Sequence, residues 1–170
     1  MAGFFVYHPN GIEIPSPTRY LIGDLATNTA GLFRGDLVVT PAAIVHAAAA
    51  AGATVVGVCE AFFDVNGYPL LFAPVTLDGT TGEYALVQND PYLQMRATSH
   101  ASFQPADIGS TADHVHAAGS TVTGVSGQTL ADITNAQFVI IDVVRYPNVD
   151  LTTATGVRPV VVKFNEHLYL

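Results

Sequence analysis

The clearest order along this chain is a series of short apolar runs separated by Gly, Pro, Asn and Asp. Phe138-Val139-Ile140-Ile141-Asp142-Val143-Val144 and Val160-Val161-Val162-Lys163-Phe164 are rich in β-branched residues. Runs of this kind read as strands buried on both faces or lying at a sheet centre. Tyr84 to Ala97 is broken at Asn89-Asp90-Pro91 and then alternates as Tyr92-Leu93-Gln94-Met95-Arg96. Proline cannot donate to a ladder, so the stretch predicts two strands joined at a bend. Thr54 to Phe63 predicts a further strand, and Asn66-Gly67 just after it is a strong hairpin signal. Leu70 to Leu77 predicts the returning strand, interrupted by Pro74.

Shorter strands are expected at Tyr20-Leu21-Ile22 and within Leu32 to Val39, each beside a Gly-Asp turn. Pro41 to Ala51 is the one helix candidate. Thr40 suits its N-cap, Pro41 its first turn, Gly52 its stop, and the alanines favour it. Residues 98 to 135 are long, polar and weakly periodic, which predicts a connection that is functional, an interaction loop or partly structured. No repeat at solenoid spacing is visible. Residues 1 to 19 are apolar, but Pro9, Pro15 and Pro17 forbid a helix and spoil a central strand. The segment predicts an extended arm that docks on its own domain, on a neighbouring subunit or on a scaffold. Phe4, Phe5, Val6, Tyr7, Ile12 and Ile14 are its expected subunit or scaffold contacts. The alternative is an edge strand of the same domain. The expected fold is mainly β. It is a single-domain barrel or sandwich over residues 20 to 170, with an arm at 1 to 19 and at most one short helix.

Composition narrows the choice of function. The 170 residues are 49% apolar but only 12% charged, against about a quarter charged in an ordinary soluble domain. So neutral a surface points to contacts with other subunits. The net charge is -8, and no two of the six Lys and Arg residues are adjacent. Nucleic acid and anionic membranes are therefore not expected as partners. Cys59, the single cysteine, lies in the apolar run Val55-Val56-Gly57-Val58 and reads as a buried, inert thiol. With no disulfide framework and no visible signal peptide, assembly in a cytoplasm is expected.

Candidate chemistry is thin. His114-Val115-His116, with His100, Asp107 and Asp113 nearby, has the strand spacing that aims two imidazoles at one metal. A cupin site would add a glutamate shortly afterwards, where this chain has Ala117 to Thr121. Gly124-Val125-Ser126-Gly127 falls one residue short of a nucleophile elbow. No phosphate loop or paired-carboxylate motif is present. No catalytic residue, metal site or cofactor is expected, and the chain reads as a non-enzyme.

One resemblance remains. Asp90-Pro91, Asp107-Ile108-Gly109, Gly124-x-Ser126-Gly127-Gln128-x-Leu130 and the closing Val162-x-Phe164-Asn165-x-His167 follow one another in order. Together they resemble the decoration (cement) proteins of tailed-phage capsids over the last half of the chain. In the first half, Gly35-Asp36-Leu37-Val38 and Val55-Val56-Gly57-Val58 are similar to the β-rich start of such proteins. The resemblance implies a structural virion protein on the outer surface of an icosahedral head, assembled in the host cytoplasm. There it would act as a homotrimer that bridges and stabilises subunits of the major capsid protein. Two other readings stay open. One is a carbohydrate- or ligand-binding β-sandwich for host attachment, using Tyr68, Tyr84, Tyr92 or Tyr146. The other is a cupin-like metal enzyme through His100, His114 and His116.

Overall fold

The side chains that end each strand also decide where the chain changes direction. The computed structural model describes residues 3–6, 16–23, 31–39, 44–47, 54–77, 80–131, 136–144 and 156–165. The hairpin signal at Asn66-Gly67 joins β5 (Gly57–Phe63) to β6 (Pro69–Leu70). Asp64 builds the turn. Its Oδ1 accepts the amides of Asn66 at 2.9 Å and Tyr68 at 2.7 Å, and Gly67 takes the left-handed φ of 84°. The break at Asn89-Asp90-Pro91 separates β7 (Tyr84–Gln88) from β8 (Gln94–Thr98). Here Asp90 accepts from the Tyr92 amide through Oδ1 and from the Leu93 amide through its carbonyl. These two strands belong to different sheets, so this turn is where the chain passes from one sheet to the other.

Before that turn lie β2 (Thr18–Ile22), β3 (Leu37–Val39), β4 (Ile44–Ala47), β5, β6 and β7. They form one sheet in the order β3-β4-β2-β7-β5-β6. β3 also pairs with β5, which joins the two ends of the run β3-β4-β2-β7-β5. Only β2 and β4 run parallel; the other pairs are antiparallel. After the turn lie β8, β9 (Thr111–Val115), β10 (Thr129–Ala131), β11 (Phe138–Val143) and β12 (Pro159–Phe164). They form the second sheet with β1 (Phe5–Val6) at its edge, in the order β1-β8-β12-β11-β9-β10. The fold is mainly β, two curled sheets in a barrel-like or sandwich arrangement. Register slips at Cys59/Ala61 in β5 and Ile140/Asp142 in β11 supply local bends of the kind that curling requires.

Alternation explains most of the core of the second sheet, interrupted at the Ile140/Asp142 slip and at Val161, which is buried between Val160 and Val162. Met95, Ala97, Phe138, Ile140, Val160, Val162 and Phe164 point inward and are buried, with Gln94, Arg96, Val139 and Lys163 between them. Leu37, Val55 and Val58 of the first sheet join this core. A second core, inside the first sheet, holds Ile22, Leu32, Val38, Val56, Cys59, Phe62, Ala85 and Val87. Thus β3 and β5 are buried on both faces. Leu37 serves one core and Val38 the other, as Val58 and Cys59 do. That is why these segments read as unbroken apolar runs.

Two expectations are corrected and one left open is decided. The helix over Pro41 to Ala51 is replaced, in its described part, by β4. Ile44 and Val45 pair with Leu21 and Ile22, while His46 and Ala47 pair with Val39 and Val38. A helix there would leave one edge of β2 and one edge of β3 without a ladder partner, a cost greater than the small propensity of alanine. Of the readings open for 98 to 135, the partly structured one holds: the stretch contains β9, β10 and a 3₁₀ turn at Pro105–Asp107. Leu70 to Leu77 keeps only β6 and one bridge from Ala73 to Leu32.

Of the placements open to the N-terminal segment, its described residues take the one on their own domain, as an edge strand. Phe4 is fully buried in the core between the sheets, its ring stacked on Phe138 at 5.2 Å. Phe5 and Val6 pair with Arg96 and Met95 as an edge strand, and Phe5 is half-buried. Tyr7, Ile12 and Ile14 lie outside the described residues. The boundary expected at residue 19 falls inside β2. Phe4→Ala should cost about 3–5 kcal/mol, the range for emptying a buried aromatic site. Urea unfolding measures this; an unchanged midpoint would mean that the segment adds nothing to the fold.

Candidate functional site

The densest polar construction in the described residues is the turn Phe33-Arg34-Gly35-Asp36. The Asp36 amide donates to the Phe33 carbonyl at 3.0 Å, and Asp36 Oδ2 accepts the Phe33 amide at 2.8 Å. Gly35, at φ 88°, permits the reversal. Around this turn the backbone is stitched to three distant segments. Phe4 donates to Gly35, Gly35 to Cys59, and Cys59 back to Asp36. Arg34 donates to Gly124 and accepts from Ser126, a short parallel bridge centred on Val125. Gln128 completes the joint. Its Oε1 accepts the Leu37 amide at 2.9 Å, its carbonyl accepts the Gly3 amide at 2.7 Å, and its amide donates to Ser126 Oγ at 3.0 Å.

Burial sets the electrostatics here. Asp36 is 1% exposed, and burial pushes its carboxyl from 3.8 up to about 6, while bonds from Ser126 and the Phe33 amide hold it back. Oδ1 has no hydrogen-bond partner among the described residues. Burial also pushes the Cys59 thiol well above its ordinary value, with the Asp36 and Glu60 charges adding to the effect. Cys59 is thus a buried thiol with little nucleophilic character.

The histidine pair is split. His114 is buried, and its Nδ1 lies 2.8 Å from Gln137 Oε1, which also accepts the His114 amide. The Gln137 amide donates to Asp113 Oδ1 at 3.3 Å. This cluster fastens the start of β11 to β9. His116 lies beyond the end of β9, with its Nδ1 3.5 Å from Gln128 Nε2. His100 is engaged locally, with Ser102 at 3.0 Å and Asp107 at 4.0 Å. Among the described residues no three His, Cys, Asp or Glu side chains stand close enough together to hold a metal ion. Ser126, the serine of the near-elbow, is buried and serves the Asp36 joint.

Two surface features stand apart from this framework. Beside β6, Arg34, Glu60, Leu70, Leu71, Thr123 and Val125 line a groove of about 230 Å³. Leu71 stands 57% exposed there, with Val122 at 86% in the adjoining turn and Val65 and Tyr68 exposed around the hairpin tip. On the outer face of the second sheet, a cleft of about 500 Å³ is lined by Tyr92, Val139, Lys163 and Asn165. The candidate aromatics are sorted accordingly. Tyr84 is stacked on Phe63 at 5.0 Å and covered by the Arg19 guanidinium at 3.8 Å. Tyr68 and Tyr92 are open to solvent, and Tyr146 lies outside the described residues. The sequence shows Asp36 and Gln128 only within short motifs and assigns neither a role, because the joint they build draws on segments far apart in the chain; nothing in the sequence singles out Lys163.

No family model matches the chain, and neither a curated protein nor a solved structure matches it.

The joint generates two expectations. Folded Asp36 keeps its proton to about pH 6, whereas the unfolded chain loses it near 3.8. Folding therefore takes up a proton between these values. The contribution to stability is present in full below 3.8, is lost as pH rises to about 6, and stays lost above it. The rise from 3.8 to about 6 corresponds to roughly 3 kcal/mol. Asp36→Asn keeps an acceptor for the Phe33 amide and removes the charge. It should raise stability at pH 7.5 by up to that amount and flatten the profile between pH 4 and 6, as read by urea unfolding across pH; an unaltered profile would assign the dependence to other groups. Gln128→Ala strips the Leu37 amide of its acceptor in a buried place and should cost about 1–3 kcal/mol in the same assay.

Proposed function

We propose that this chain is a non-enzymatic structural protein that decorates the outside of a tailed-phage head. It acts as a homotrimer and bridges subunits of the major capsid protein. The observation that carries the reading is a rigid, charge-poor β scaffold with large apolar side chains held out to solvent. Val65, Tyr68, Leu71 and Val122 are each more than half exposed on hairpin and turn positions. Side chains held so are suited to a partner surface, and repetition by symmetry turns weak contacts into avidity. The resemblance along Asp107-Ile108-Gly109 and Gly124 to Leu130 supports the class of partner, and the acidic, charge-poor composition accords with a protein that ignores packaged nucleic acid.

Because Phe4 belongs to the chain's own core, the contact role falls to the exposed residues around β6 and the 121–123 turn. Deleting residues 1 to 18 would remove Phe4 and the first residue of β2, so loss of binding would not report on contact alone. Leu71→Ser with Val122→Ser is the cleaner variant. Light scattering should give three times the 17.8 kDa chain mass, and the wild type should sediment with undecorated expanded heads of its phage. The double variant should keep the unfolding midpoint and lose roughly tenfold in occupancy. A strict monomer that leaves such heads bare would overturn the proposal.

A further inference from the structure

The outer face of the second sheet carries a constructed cleft that capsid bridging does not use. β12 lies between β8 and β11, and its outward Lys163 stands opposite Gln94 on one side and Val139 on the other. The next residue, Phe164, is 3% exposed and turns into the core, so Asn165 turns outward again. Asn165 is fixed by two bonds: its amide donates to the Gln137 carbonyl, and its Nδ2 donates to the Ala136 carbonyl, both at 2.8 Å. That leaves Oδ1 as a placed acceptor. At the rim, the Asp90 turn holds the backbone of Tyr92, and buried Leu93 anchors the next residue. Tyr92 itself is 79% exposed, so its ring is held up rather than packed away. These groups line an open cleft of about 500 Å³, within the size range of small-ligand sites.

The chemistry narrows the ligand. The backbones of β8, β11 and β12 meet in paired ladders here, so no free strand edge is offered to a peptide. Lys163 is one of six Lys and Arg in a chain of net charge -8, and it forms no ion pair among the described residues. Among the described residues Lys163 is the one cation lining the cleft, and a single ammonium does not hold a polyphosphate backbone. It does suit a single carboxylate. A flat aromatic face, a fixed amide acceptor and one ammonium match a pyranose ring. The C–H face of the sugar lies on Tyr92, a hydroxyl donates to Asn165, and a carboxylate meets Lys163. We propose that the cleft at Tyr92, Lys163 and Asn165 binds an acidic saccharide. This activity is independent of the capsid contact and lies on a different part of the surface.

The test is an amide-resolved NMR titration of the full chain with trigalacturonate, with sialyllactose and, for comparison, with neutral galactotriose. Saturable shifts at Tyr92, Lys163 and Asn165 with at least one acidic sugar, in the low-millimolar range or tighter, are expected. The neutral sugar should bind roughly tenfold more weakly. Tyr92→Ala and Lys163→Gln should each lower affinity by roughly tenfold without moving the unfolding midpoint. The proposal is overturned by the absence of saturable shifts with both acidic sugars. Shifts centred elsewhere, equal binding of the neutral sugar, or unchanged affinity in either variant would overturn it equally. Head binding by the same variants is a separate measurement, so failure of the saccharide site and failure of the capsid reading are told apart.

Discussion

A carboxylate buried at a chain reversal is the constraint on which both sheets depend. Asp36 turns its own backbone by accepting the Phe33 amide, and the strain-free glycine before it lets that happen. Main-chain bonds to three remote segments then gather at this turn, and the Gln128 and Ser126 side chains complete the joint. The N-terminal segment, β5 and the segment from Gly124 to Gln128 all reach it. Buried amides cannot be left unpaired cheaply, so moving one of these segments would disturb the others. The molecule accepts the cost of a desolvated acid in exchange for a unique meeting of three remote stretches. Such a use of a buried polar group resembles register-setting more than simple stabilisation.

The two-faced strands spread that constraint outward. β3 leaves the joint with Leu37 in one core and Val38 in the other, and β5 repeats the division at Val58 and Cys59. The two apolar clusters are therefore not independent. A change in the volume of one is felt through the shared backbone by the other, as expected of close-packed interiors.

Much of the fold was legible because it is local. β11 and β12 announce themselves by β-branched runs, the β5–β6 turn by Asn66-Gly67, and the change of sheet by Asp90-Pro91. What failed was decided at a distance. Ala-rich 41–51 favours a helix until the vacant ladders of β2 and β3 are considered. β9 looks like loop because Asp113 and His114 are polar, yet both are buried and Gln137, more than twenty residues away, bonds to both. The surface follows the same rule. Tyr92 could be singled out as an aromatic, but its association with Lys163 and Asn165 exists only through the pairing of β8 with β12.

The placement of the N-terminal segment has a kinetic consequence. Phe5 lies against Arg96, and Phe4 against Phe138, so these residues find partners that are made much later. β2 to β7 can close on one another first, since their partners all come before the Asp90 turn. The second sheet then has to form with a sticky aromatic pair waiting upstream. Closing so long a loop is slow relative to local pairing. The docking of Gly3 to Val6 is thus a late step, and until it occurs the nascent chain exposes two phenylalanines for chaperones, or other copies of itself, to meet.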